Sequence, residues 1–217
     1  MTDADIVVVS TGLRSPTRSW CIDSVQRQKG ARYLHLCVDA ERQDPPRTKI
    51  ENLRSSIERL PPDTIVCVVD LDDWLEHENV LARVVAAHRA GAWLTYGSFR
   101  YGDGRAGFAR PVIDARHGPW CATHLKSFRA GLFQAVHDED LRGPVGPWID
   151  RADDLAYMIP MLEMAAARAL FISEVLYVYN YAHSWERSAT PHELAHELAC
   201  AQWVRSLAPY ARLEVLP

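Results

Sequence analysis

The sequence predicts an α/β fold with a mostly parallel central sheet flanked by helices. Three observations lead there. Through the first hundred residues, apolar runs of strand length alternate with segments of helix length, the order expected of strands that cross over through helices. Capping residues and helix breakers punctuate that alternation. A chain of 217 residues that is 48% hydrophobic and 24% charged also suffices for one compact domain with a sizeable core.

Each element has its own warrant. "DIVVVS" (5–10) reads as the first strand. In "SPTRSWCIDSVQRQKG", Ser15 as N-cap, Pro16 at the first helical position, a Trp20, Cys21 and Val25 stripe, and Gly30 as a stop predict a helix. "RYLHLCVD" (32–39) is a second strand. "TKIENLRSSIERLPP" is a helix with a Thr48–Glu51 capping box and an apolar stripe at Ile50, Leu53, Ile57 and Leu60, ended by Pro61 and Pro62. "TIVCVVD" (64–70) is a third strand, followed by a helix through Val80, Leu81, Val84 and Val85 and a strand in "AWLTYGSFRY". Residues 101–120, rich in glycine and turn formers, are expected to form an irregular, ligand-covering segment. "KSFRAGLFQAV" predicts a helix and "RGPVGPWID" a loop. "RADDLAYMIPMLEMAAARA" predicts a helix that Pro160 should kink, "LFISEVLYVYN" a late strand, and "TPHELAHELACAQWVRSL" a final helix capped by Thr190 and Pro191.

Composition excludes several function classes. A formal net charge of -4 and a pI near 6.1 give no electrostatic basis for binding nucleic acid or an anionic membrane. The five cysteines are far apart and mostly in apolar context, which predicts free buried thiols rather than disulfides. With no basic, apolar leader and no apolar stretch approaching membrane-spanning length, the expected location is the cytoplasm. The oligomeric state is left open, a homodimer included.

Ligands of open α/β sheets bind beyond the carboxyl ends of the strands, and two acidic sites fall there: Asp39, and Asp70, Asp72 and Asp73 in "VVDLDDWL". Asp39 alone reads equally well as a turn or cap residue. Three carboxylates in four positions would raise each other's ionisation cost unless a cation sits among them. All-oxygen ligands point to Mg2+ or Mn2+, which also bridge phosphate oxygens.

"VVDLDDWLEHENVL" resembles the aspartate-any-aspartate metal motif of family 2 glycosyltransferases, inverting enzymes with the GT-A nucleotide-sugar-binding fold. The resemblance extends through "VVVSTGLRSPTRSWCIDSVQRQ", "THLKSFRAGLF", "DDLAYMIPMLEMAA" and "FISEVLYVYN", over roughly residues 5–183. It implies a single GT-A domain over 1–217, with a nucleotide-binding half at about 1–100, an acceptor-binding half at 101–190, and a C-terminal helix and tail at 191–217. The partners it implies are a nucleoside-diphosphate sugar donor and a saccharide or other hydroxyl acceptor. Thr11 would lie under the base and ribose, Asp39 would contact the base, and Asp70 would stand near ribose and metal. Asp72 would hold the divalent ion on the diphosphate, with Asp73 facing the donor sugar, and His183 stands where related enzymes sometimes carry a third metal ligand, a surface histidine being the plain alternative. Of Asp153 and Asp154, which otherwise read as favourable charges at a helix N-terminus, Asp154 would be the general base. Leu71 departs from the small residue common between the aspartates. His124, Lys126 and Arg129 are further candidates for the diphosphate or acceptor, a solvated helix face being the plain alternative.

Two other readings compete. "HELAHE" holds His192-Glu193-x-x-His196, the spacing that sets two histidines on one helix face for zinc with the glutamate as base, as in a zinc hydrolase. A degenerate transferase domain would bind nucleotide or a partner without turnover.

Overall fold

The computed structural model describes residues 4–12, 15–39, 46–144, 147–184 and 187–216, with every side chain among them except those of Asp39 and His183. Seven strands are described: β1 (Ile6–Gly12), β2 (Tyr33–Asp39), β3 (Ile65–Asp70), β4 (Trp74–Leu75), β5 (Leu94–Tyr101), β6 (Lys126–Arg129) and β7 (Ala169–Tyr179). They form one sheet in the order β2-β1-β3-β6-β5-β7-β4. β2, β1, β3, β5 and β7 run one way, while β6 and the two-residue β4 oppose them. The helices are α1 (Arg18–Gln26), α2 (Lys49–Ile57), α3 (Val80–Arg89), α4 (Ala130–Gln134), α5 (Asp153–Ala165) and α6 (Pro191–Ser206). Among the described residues, no helix is long and apolar enough to cross a membrane.

Both sheet faces are covered, which is why the strands read as unbroken apolar runs. Successive side chains of β1 and β3 point to opposite faces. Val7, Val9, Val66 and Val68 join a core with Ile50, Leu53 and Ile57 of α2 and with α4, α5 and α6. Ile6, Val8, Ile65, Cys67 and Val69 join the other core, with Val25 of α1 and Val80, Leu81, Val84 and Val85 of α3. Ile50, Leu53 and Ile57 are fully buried, each contributing about 1.5–3 kcal/mol. Register then assembles the site: Thr11 pairs with Asp70 and Gly12 with Asp39, so β1, β2 and β3 end at one edge.

Several expectations are corrected. "KSFR" is strand β6, and helix α4 begins only at Ala130. The segment is too short for its period to separate strand from helix, and pairing with β3 and β5 decides it. Ser15 does not cap α1: Thr17 precedes the first helical residue, and the Ser15 hydroxyl bonds to Thr17. β4 carries no sequence signal of its own and exists through β7. α5 runs from Asp153 to Ala165 as one helix with Pro160 inside. Residues 102–120 are irregular as expected, and Arg116, 4% exposed, pins them. It bonds to both carboxylate oxygens of Glu163 and to the Val204 and Leu207 carbonyls. The described cysteines are all free, Cys37 exposed and the others buried.

Candidate active site

A cavity of about 700 Å3 opens at the carboxyl ends of β1 and β3. Thr11, Asp70 and Asp72 line one side; Asp153, Asp154 and Ala152 line another; Phe99, Tyr101, Trp120 and Tyr179 supply aromatic wall. The two acidic groups, Asp70 with Asp72 and Asp153 with Asp154, are distant in the chain and therefore share one chamber only through the fold.

The acidic turn after β3 is held from β7. The Tyr177 hydroxyl accepts from the Asp70 backbone N–H (3.1 Å) and donates to Asp73 Oδ2 (2.8 Å). The Asn180 backbone N–H donates to Asp73 Oδ1 (2.7 Å), and its side-chain amide donates to the Asp72 carbonyl (3.0 Å). Asp73 is thus 1% exposed with both oxygens engaged by the fold. This corrects the expectation that it faces a sugar; it braces the turn that presents Asp72. Burial, reinforced by Asp72 and Asp70, pushes its carboxyl well above the usual range.

Two lysines enter the carboxylates. The Thr48–Glu51 capping box forms as expected and sets Lys49 at the first position of α2. Lys49 Nζ stands 2.8 Å from Asp70 Oδ1, 3.4 Å from Asp153 Oδ2 and 3.5 Å from Asp154 Oδ1. Lys126, delivered by β6, pairs with Asp154 Oδ2, while the Tyr157 hydroxyl donates to Asp154 Oδ1 (3.3 Å). Burial works against the Lys49 charge, but Asp153, Asp70 and Asp154 outweigh it and hold the ammonium well above the ordinary lysine range. The two neighbouring aspartates diverge. Against the effect of burial, Lys126 and Lys49 hold Asp154 far below the usual carboxylate range. For Asp153, burial prevails over Lys49, and its carboxyl is raised.

Asp70 therefore has a counter-charge within the chain, contrary to the expectation that only a cation could supply one. The donor set still suits a hard divalent ion. Asp70 and Asp72 offer carboxylate oxygens at the cavity wall, with Lys49 paired to Asp70 Oδ1. His124 adds an imidazole nitrogen within 4.8 Å of Asp70 and Asp73 oxygens. Its ring stacks on Tyr177 at 4.5 Å, and burial, then Lys126, push it down to about 3, so it is neutral.

The remaining expected residues fall as follows. Thr11 lines the cavity but is buried, its hydroxyl accepting from the Asn52 amide (3.2 Å). Asp39 ends β2 and His183 lies in a short turn after β7, and both side chains lie outside the described residues. Arg129 pairs with Ile65 at the start of β3, the end opposite the acidic turn, and donates to the Asp63 and His88 carbonyls. In the zinc-like motif, Glu193 closes a capping box with Thr190 and His196 Nε2 bonds to Asp150, so the glutamate serves the helix end. Sequence reasoning missed Lys49, Tyr177 and Asn180. A lysine directly after an N-cap, at the sheet edge where ligands bind, was the available signal for the first; the other two act only through tertiary contact.

The sequence matches no protein-family model and no curated protein. Solved structures do match. Residues 1–349 of S. aureus TarS superpose at a TM-score of 0.58 with 14% identity over 81% of this chain and 60% of that one. The same region in complex with UDP gives 0.63, 13%, 92% and 64%, and in complex with UDP-GlcNAc 0.57, 14%, 85% and 61%. This chain thus spans about three-fifths of the length of these three structures, and 36% of a longer TarS structure that it also matches. At this identity the likeness is one of fold: a mixed α/β domain with a mostly parallel seven-stranded sheet flanked by helices.

Proposed function

We propose that this chain is a glycosyltransferase that moves a sugar, with inversion, from a nucleoside-diphosphate sugar to the hydroxyl of a saccharide or other acceptor. The observation that carries the reading is the single chamber in which Asp70 and Asp72 face Asp153 and Asp154. The UDP and UDP-GlcNAc complexes of the structurally similar TarS support a uridine nucleotide as the donor. Asp70 and Asp72 would hold a magnesium or manganese ion, which offsets charge on the departing diphosphate. Lys49 orients the same carboxylates and ties the donor side to the acceptor side.

The attacking hydroxyl must lose its proton. Asp154 is the base that the family resemblance implies, yet Lys126, Lys49 and Tyr157 already engage its oxygens and depress its proton affinity. Asp153 lines the same cavity with its affinity raised, so it is the stronger acceptor, and Asp154 is the fixed charge that holds the lysines. The test is a nucleotide-sugar panel with NMR of the product. Asp153→Asn should keep donor binding and lose turnover by roughly 100-fold or more, and the new bond should carry the opposite anomeric configuration. Loss confined to Asp154→Asn returns the base role to Asp154. Retained configuration, or both variants near wild type, overturns the mechanism; donor binding without turnover in the unmodified chain indicates a degenerate domain.

A further inference from the structure

α6 carries His196 and Cys200 four residues apart, on one helix face. Asp150, in the stretch leading into α5, meets that face. His196 Nε2 lies 2.8 Å from Asp150 Oδ1 and 3.8 Å from Cys200 Sγ, and one ligand atom from each residue lies within 4.8 Å of the other two. We propose that Asp150, His196 and Cys200 form a binding site for a thiophilic divalent cation, zinc first among them.

Geometry and chemistry agree on this. With Zn–S about 2.3 Å and Zn–N about 2.0 Å, a tetrahedral site sets sulfur and nitrogen about 3.5 Å apart and nitrogen and oxygen about 3.3 Å apart. The sulfur–nitrogen and nitrogen–oxygen distances are thus each within about half an ångström of that arrangement, and the sulfur and the carboxylate oxygen lie within 4.8 Å of each other. A thiolate and an imidazole select zinc over the hard ions suited to Asp70 and Asp72, so the two sites sort cations by ligand type. Cys200 is fully buried in the core beneath α6. Burial, and then the Asp150 carboxylate, raise its thiol against the smaller opposing effect of Arg151, so binding must displace the thiol proton. On coordination the thiol proton passes to solvent and the sulfur donates its electron pair to the metal. Three protein ligands leave a fourth position for water. Asp150 and Glu197 both line the donor cavity, so the ion would fasten α6 to the cavity rim. The site shares His196 with the zincin-like motif but uses neither His192 nor Glu193, and it stands independently of the proposed transfer reaction.

Full-length protein should be dialysed against zinc, freed of excess and assayed for bound metal by mass spectrometry. In parallel, cobalt should be substituted and the near-ultraviolet spectrum recorded for a thiolate-to-cobalt charge-transfer band. The wild type should hold stoichiometric zinc and show the band. Cys200→Ala should lose the band, and His196→Gln, at a partly exposed position that leaves the core intact, should weaken zinc binding beyond the roughly 10- to 100-fold typical of losing an outer partner. His192→Ala and Asp72→Ala should each keep both signals. Absence of the band in the wild type, its persistence in Cys200→Ala, or loss of zinc in His192→Ala overturns the assignment.

Discussion

Replacing Lys126 with methionine removes one of the two charges that hold the carboxylate cluster together. Lys126 is 1% exposed on β6, and its ammonium pairs with Asp154. Methionine retains an unbranched apolar stem, so chiefly the charge is lost. Deleting one member of a fully buried pair costs about 3–5 kcal/mol because the survivor is left uncompensated. Asp154 is less abandoned than that: Lys49 Nζ remains 3.5 Å away, the Tyr157 hydroxyl 3.3 Å, and 25% of its side chain is exposed. The expected loss is therefore about 1–3 kcal/mol at pH 7. Its pH dependence has a definite sign. The Asp154 carboxyl is depressed in the folded chain, so the stability it contributes is complete above its unfolded value near pH 4 and is lost as pH falls toward the folded one. Lys126→Met raises the folded value; the unfolded value is common to both proteins, so the difference between them should be full at pH 7 and narrow as pH falls through the variant's folded Asp154 value. Urea unfolding followed by tryptophan fluorescence at pH 7 and in acid measures this. Equal stability at pH 7, or a gap that persists undiminished in acid, would refute the account of the cluster.

Other outcomes follow from the same geometry. Nucleoside-diphosphate binding, measured by calorimetry, should strengthen with magnesium or manganese relative to chelator, and Asp72→Ala should erase the difference; metal-independent binding in the wild type would remove the ion from the proposal. Thr48→Ala opens the capping box that seats Lys49 and should cost about 1 kcal/mol in denaturant unfolding, with a weaker donor affinity that Thr48→Ser restores. Ala166 sits at φ 47°, in backbone territory that penalises a Cβ, so Ala166→Gly should stabilise by roughly 1 kcal/mol and raise Tm by about 2–4 °C; a lower Tm would contradict the strain.

Local chemistry determined a good part of this protein. The apolar runs of β1, β2 and β3, the capping box at Thr48, the cap at Thr190 and the acidic strand end at Asp70 are legible because each depends on near neighbours: side-chain period, a cap beside the turn it closes, a strand ending in charge. The alternation of those elements also pointed to the sheet edge where Thr11 and Asp70 meet. Tertiary structure decided the rest. Strand β6 exists because β3 and β5 flank it, and through that pairing Lys126 becomes a buried ion instead of a helix-face charge. Three aspartates that look equivalent in "DLDD" take different roles because Tyr177 and Asn180, more than 100 residues away, claim Asp73 for the fold. Asp153 and Asp154 are likewise separated by Lys126 and Lys49, which reach them from distant elements. Proton affinity and charge depend on burial and on neighbours a few ångströms off in space, and neither is written in the order of the residues.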